Sequence, residues 1–262
     1  MKVPNIGFTH SGTFHADDVF STALLRIINP HIKINRISDI TEIKEKNDYI
    51  IYDIGLGAFD HHQINKRTRK NGVPYAAFGL LWEKFGELII PSEKDRIEFD
   101  KQFIQALDQA DNYGDYNSLC DAIRSFNPCG RPDNSVEFEE AVIFAKNILE
   151  NKLNKIKWEK SMKDTVDEII KRSDRIAVLK SYIPPKLFIG TRIKIMIYPS
   201  GRDSYNIQII PKNNLQFSTK WIDKKTFMKE KYPSFIFCNE KRYLMACSDI
   251  NEAIKIAENT IK

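Results

Sequence analysis

The order of short apolar runs in the first sixty residues restricts this chain more than any other feature. Residues 3–9 read as a strand. Residues 16–28 read as a helix, because Val19, Phe20, Ala23, Leu24 and Ile27 recur at three- and four-residue steps before Asn29-Pro30 ends the pattern. Residues 32–37 alternate as a strand should, and residues 49–52 form the nearly continuous apolar run of a strand buried on both faces. Strand, helix, strand, strand predicts a parallel sheet with helical crossovers.

Residues 76–170 are mainly helical in pattern, with turns at Gly114, residues 128–130 and Pro132, and residues 147–175 read as one long charged helix. After Pro184-Pro185 the texture becomes short β-type runs at 187–189, 192–198, 205–210 and 234–238, closed by an amphipathic helix over 251–261. The expected fold class is α/β, a mainly parallel sheet with helical crossovers plus a smaller α+β second domain. The expected division is a catalytic domain at 1–150, a connecting helix and linker at 151–185, and a small basic domain at 186–262.

Charge follows the same division. Residues 1–150 carry 17 Lys and Arg against 23 Asp and Glu, residues 151–185 carry 9 against 5, and residues 186–262 carry 14 against 7. An acidic first part and a basic second part suit a cation site followed by a polyanion site. No window holds the roughly eighteen apolar residues of a membrane span, and the start lacks the apolar stretch of a secretory signal, so a cytoplasmic protein with no membrane partner is expected. Cys120, Cys129, Cys238 and Cys247 are spaced too widely for a zinc finger or a disulfide framework and are expected to be reduced, buried thiols.

All five histidines, His10, His15, His31, His61 and His62, lie within the first 62 residues. His31, beside Pro30, reads as a surface or capping residue. The other four sit next to acids in two groups, His10 and His15 with Asp17 and Asp18, and Asp53 followed by Asp60-His61-His62. Imidazole and carboxylate together are the ligand set of borderline divalent metals. In an open parallel sheet, sites form beyond the carboxyl ends of strands. His10 follows the first predicted strand and Asp53 the third. Asp60-His61-His62 follows Ala58-Phe59, which reads as a further short strand.

The group Asp60-His61-His62 after a strand-terminal Asp53 resembles the signature of the DHH phosphoesterase superfamily. Residues 9–18, Phe59-Asp60-His61-His62-Gln63, residues 74–82 and Asp108-Gln109-Ala110-Asp111-Asn112 resemble the melanocyte proliferating gene one family more closely, over most of the chain. That resemblance implies a DHH-type two-domain phosphoesterase acting on nucleic acid, a 3′-to-5′ RNA exonuclease, with two divalent ions. Mn²⁺ is the expected ion, with Fe²⁺, Co²⁺ or Zn²⁺ as alternatives, since His15 stands where the superfamily usually has an aspartate. An older description of the family as protein hydrolases would mean peptide-bond chemistry, but the chain has no His-Glu-x-x-His.

By the same resemblance, His10 and His15 hold one metal, Asp17 and His61 the other, and Asp53 bridges them. Asp111 supplies one more carboxylate, its neighbour Asn112 making it the better match, with Asp108 as the second candidate. His62 would donate to the phosphate or protonate the leaving oxygen, and Asp60 would fix local geometry. The basic run Lys66-Arg67-Thr68-Arg69-Lys70 offers Arg67 and Arg69 to flanking phosphates. Pro184-Pro185-Lys186 and residues 198–202 resemble a Pro-aromatic-Lys element of the family, offering Lys186 and Arg202 as substrate contacts. Relatives carry a His and a glycine-rich segment near the carboxyl end, whereas residues 237–247 here contain neither, which leaves Lys241 and Arg242 as the compensating cations. Two alternatives stay open: a metal-dependent phosphatase for a small nucleotide or phosphorylated metabolite, and a nucleic-acid-binding protein with structural metals.

Overall fold

A computed structural model describes residues 2–43, 48–131, 134–213 and 229–261; Pro132 lies outside them. The chain divides into two units, residues 1–153 and 154–262.

The first unit is built on three strands, β1 (Ile6–His10), β2 (Lys33–Ile37) and β3 (Ile50–Ile51), in the order β2-β1-β3 with both pairings parallel. Helix α1 (Ala16–Ile28) makes the crossover from β1 to β2, with the bounds that its apolar spacing and the Asn29-Pro30 stop predict. Gly7, the second residue of β1, packs closely against β2, since a Cβ there would stand 2.6 Å from Ile34 Cδ1. As β1 and β3 run the same way, their carboxyl ends, with His10 and then Asp53, open on one edge of the sheet.

Helices supply the rest of this unit: α2 (Ala77–Phe85), α3 (Glu93–Phe99), α4 (Gln105–Tyr113), α5 (Ser118–Arg124) and most of α6 (Ser135–Ser161), whose last residues belong to the second unit. A π-turn over Asp100–Ile104 joins α3 to α4. Phe20 of α1, Phe78 of α2 and Phe103 meet in a buried aromatic cluster.

Three expectations change here. Ala58 and Phe59 are not a strand but part of a turn whose Phe59 carbonyl accepts the Asp53 N–H at 3.0 Å. Two apolar residues after the glycines Gly55 and Gly57 are too few to compete with that closure. The predicted helix over 147–175 is two: α6, which begins earlier at Ser135, and α7 (Lys163–Arg172), with the break at Met162. The segment 151–185 is more than a connection, since Val166, Ile169 and Ala177 enter the core of the second unit.

That second unit holds a five-stranded mixed sheet in the order β4-β5-β6-β8-β7. Its strands are β4 (Ile176–Val178), β5 (Ile195–Pro199), β6 (Tyr205–Ile209), β7 (Phe235–Cys238) and β8 (Leu244–Cys247). Only β4 and β5 pair in parallel. The run Ile-Met-Ile-Tyr of β5 is buried on both sides: Ile195 and Ile197 pack with the last described helix (Ile250–Thr260), and Met196 and Tyr198 pack with α7. Residues 187–189 are not a strand; Pro184 and Pro185 introduce a 3₁₀ turn over Pro185–Phe188 instead. The four cysteines are free thiols, but only Cys247 is buried and Cys129 is exposed. Among the described residues, no helix is long and apolar enough to cross a membrane.

Candidate metal centre

Four short segments converge beyond the carboxyl ends of β1 and β3. His10 is the last residue of β1. Its Nδ1 donates to the Ser11 carbonyl at 3.0 Å, so in the neutral ring Nε2 carries the lone pair; Nε2 faces Asp18 Oδ2 and Asp53 Oδ2, each at 3.3 Å. Asp17 and Asp18 occupy the first turn of α1, where successive side chains diverge by about 100°. The Asp17 carboxylate accepts from the Ala77 and Phe78 amides at 2.9 and 2.7 Å, at the start of α2. Asp18 Oδ1 accepts from the His15 amide at 2.8 Å, which leaves Oδ2 for the site.

Asp53 adopts a left-handed backbone (φ 55°), a conformation that Asp tolerates better than most residues. This places its two oxygens on different partners. Oδ2 faces His10, and Oδ1 lies 3.4 Å from His61 Nδ1. His61 reaches Asp17 Oδ2 at 3.6 Å through the same nitrogen and Asp111 Oδ2 at 3.0 Å through Nε2. Ligand-type atoms thus fall into three overlapping groups within 4.8 Å: His10, Asp18 and Asp53; Asp17, His61 and Asp111; and Asp53, Asp60, His61 and His62.

Asp18 Oδ2, Asp53 Oδ1 and His61 Nδ1 are buried and none has a hydrogen-bond partner. Buried polar atoms are ordinarily paired, and three orphans spread over these adjoining groups fit a set of cation ligands. The electrostatics agree. Burial pushes Asp18 up to about 7, with His10 pulling back and Asp53 adding repulsion. Asp17 is raised well above the carboxylate range by burial, then by Asp53, Asp111 and Asp108. Burial draws His10 down, but the Asp53 and Asp18 carboxylates outweigh it and raise it to about 9. Carboxylates that hold protons and an imidazole that refuses to lose one describe a site short of positive charge, and divalent ions of the oxygen- and nitrogen-tolerant kind match the donor set.

The other expected residues fall in different places. His15, the N-cap of α1, is exposed and lines the same cavity of about 440 Å³, but its ring centre is 6.1 Å from that of His10 and it belongs to none of the three groups. Asp18 takes the place beside His10 that the sequence reading gives to His15. Asp108 is fully buried away from the cavity, accepting from Arg69 at 2.7 Å and from the Gly79 amide at 3.2 Å. Arg69, expected at the phosphates, is buried in that ion pair and a second with Asp100 at 2.6 Å. Arg67 pairs with Glu83, and Lys186 with Glu159, at 2.7 and 2.6 Å. Arg202 stands exposed in the turn between β5 and β6, as do Lys241 and Arg242 between β7 and β8.

His62 is 59 % exposed in its side chain and stacks on His61 at 4.2 Å. Its Nδ1 donates to Asp60 Oδ1 at 2.7 Å, so Nε2 is the nitrogen left for a ligand. Asp60 also accepts from the Leu56 and His62 amides, and these bonds outweigh its burial and lower it below the usual carboxylate range. The segment 74–82 gains a role the sequence does not disclose: its Ala77 and Phe78 amides hold Asp17, and Gly79 leaves room for Asp108, whose Oδ2 would lie 1.9 Å from an added Cβ.

The profile of the family described as "MYG1_exonuc: Uncharacterised protein family (UPF0160)" matches residues 6–261. A "MYG1 protein" of Chlamydia muridarum is 25 % identical over 187 residues, 66 % of this chain and 63 % of the relative. Proteins of mouse and human, each named "MYG1 exonuclease", are 28 % identical over 137 residues, 43 % of this chain and 36 % of theirs. The matched part therefore spans less than two thirds of these relatives' own length. No solved structure matches the chain significantly.

Proposed function

Because the chain belongs to the MYG1 family, we propose that it is a metal-dependent phosphodiesterase of the DHH type, a 3′-to-5′ exonuclease on RNA or short oligonucleotides. The observation that carries this reading is the convergence of His10, Asp17, Asp18, Asp53, His61 and Asp111 with three buried ligand atoms unpaired. The names of the mouse and human relatives support the nuclease part of it.

His10, Asp18 and Asp53 would hold one divalent ion and Asp17, His61 and Asp111 a second, with Asp53 offering one oxygen to each. When bound, such a pair, Mn²⁺ in the first instance, supplies Lewis acidity to the phosphoryl oxygens and acidifies water. The chain's own residues do the remaining work. Asp60 fixes the His62 ring through the Nδ1 bond, which leaves His62 Nε2 to offer a hydrogen bond or a proton to the leaving oxygen. Exposed cations such as Lys70 and Arg202 offer phosphate contacts that Arg69, committed inside the protein, does not.

The test is direct. Protein stripped of metal and reloaded with Mn²⁺ should shorten 5′-labelled single-stranded RNA stepwise from the 3′ end. Asp53→Ala and His61→Ala should lose that activity while keeping the native circular dichroism spectrum. Activity retained in either variant overturns the assignment, and phosphate release from mononucleotides with RNA left intact turns the reading to a phosphatase.

A further inference from the structure

The turn after β3 holds a residue whose conformation the metal centre does not explain. Leu56 adopts φ 57°, in the left-handed region where a leucine is strained and a glycine is not. Its side chain gains no burial in return, since the residue is 63 % exposed. The backbone is nevertheless clamped on both sides: its N–H donates to Asp60 Oδ2 at 2.7 Å, and Gln63 Nε2 donates to the Leu56 and Gly57 carbonyls at 2.8 Å each. Leu56 and Ile54 line the same cavity as His10, Asp53, His61 and His62, and among its lining side chains these two alone are aliphatic.

A site that gripped only a phosphate would need no such strip. Strain that is held in place by two side chains and ends in an exposed apolar group at a cavity mouth is the mark of a ligand contact. Resting on the phosphodiesterase reading above, we propose that Leu56, backed by Ile54, is the apolar platform for the base of the nucleoside attached to the scissile phosphate. Bases present a flat apolar face whatever their sequence, so the platform selects nucleotidyl esters over simple phosphate esters without reading sequence. Gln63, next in the chain after the two histidines, is then a positioning residue that holds the platform at its height above the metal ligands.

The experiment compares two chromogenic phosphodiesters with one leaving group, the p-nitrophenyl ester of uridine 5′-monophosphate and methyl p-nitrophenyl phosphate, in the Mn²⁺-loaded full chain. Leu56→Gly relieves the backbone and should melt no lower than the wild type, while Leu56→Asn keeps a side chain suited to this conformation but makes it polar. Both should lower the kcat/KM preference for the uridine ester about five- to tenfold, through KM, as expected for loss of one partly buried leucine contact. Leu56→Met should restore the preference. An unchanged preference in both variants, with both esters still cleaved, overturns the platform alone. A wild type that cleaves neither ester overturns the phosphodiesterase reading and the platform with it.

Discussion

Replacing Asp18 with Asn should stabilise the metal-free protein and abolish its response to metal. The side chain is fully buried, and its carboxyl is raised from the ordinary 3.8 to about 7, by burial first and then by Asp53. A carboxyl raised on folding contributes a penalty that is absent below the unfolded value and complete above the folded one, so this one grows between about pH 4 and 7. At 1.36 kcal/mol per unit, the shift corresponds to about 4 kcal/mol at pH 8. Asn keeps the Oδ1 that accepts from the His15 amide but loses the attraction to His10. A gain of about 2–4 kcal/mol is therefore expected in chelator at pH 8, which for a unit of this size raises the melting temperature by about 4–16 °C. The difference should shrink as the pH falls and vanish near pH 4. Saturating Mn²⁺ should raise the wild type by about 2.7 kcal/mol at a hundred times Kd and the variant by far less. Thermal melts in both conditions, from pH 4 to 8, provide the assay. An Asn variant less stable than the wild type in chelator at pH 8, or a gap that does not change with pH, refutes the claim that charge crowding dominates this site.

The remaining predictions concern protons and the neighbouring ion pair. Metal binding at pH 7.5 should release at least one proton, because His10, raised to about 9, and a fraction of Asp18, at about 7, are protonated beforehand. Calorimetric titrations in Tris and HEPES should then give different apparent heats, and equal heats would contradict it. Release should fall as the pH rises past 9, where His10 is already neutral. Arg69→Met should cost about 3–5 kcal/mol in urea unfolding, because Asp108 is left buried without its partner. That deficit should ease at low pH as Asp108 takes up a proton, and a surface role for Arg69 would instead leave stability within about 0.5 kcal/mol of wild type.

Where periodicity was long and punctuated, the sequence was readable. Helix α1 has ten buried residues and a proline stop, and its bounds follow from them. The β5 strand is legible because burial on both faces writes a continuous apolar run, and β6 because it alternates, with Ile207 and Ile209 buried and Asn206 and Gln208 between apolar residues. Short signals fail differently. Ala58-Phe59 and residues 187–189 have strand-type side chains, but backbone constraints from the 53–60 turn and from Pro184-Pro185 override two or three residues of propensity. Chemistry shows the same limit. Neighbouring Asp17 and Asp18 are indistinguishable as letters, and it is the first turn of α1, with the α2 amides on Asp17 and the His15 amide on Asp18, that turns the two onto different partners. Arg69 reads as part of a basic run, yet its neighbours in sequence say nothing of Asp100 and Asp108, 31 and 39 residues away.

Strain and like-charge repulsion are concentrated in one place, the turn from Asp53 to Asp60 and the helix turn facing it. Among the described residues, two of the four non-glycine residues with positive φ, Asp53 and Leu56, lie within that turn. Neither cost could persist unless the surroundings were stiffer than the site. Here β3 is tied to β1 on one side, the α2 amides fix Asp17 on the other, and Asp60 and Gln63 staple the turn from within. A protein that bound no ligand at this edge would gain stability by relieving the charge crowding or the strained backbone, as the Asp18→Asn argument quantifies for one carboxyl. Their coexistence at a single sheet edge is therefore the physical reason to read the edge as a site, independent of any motif.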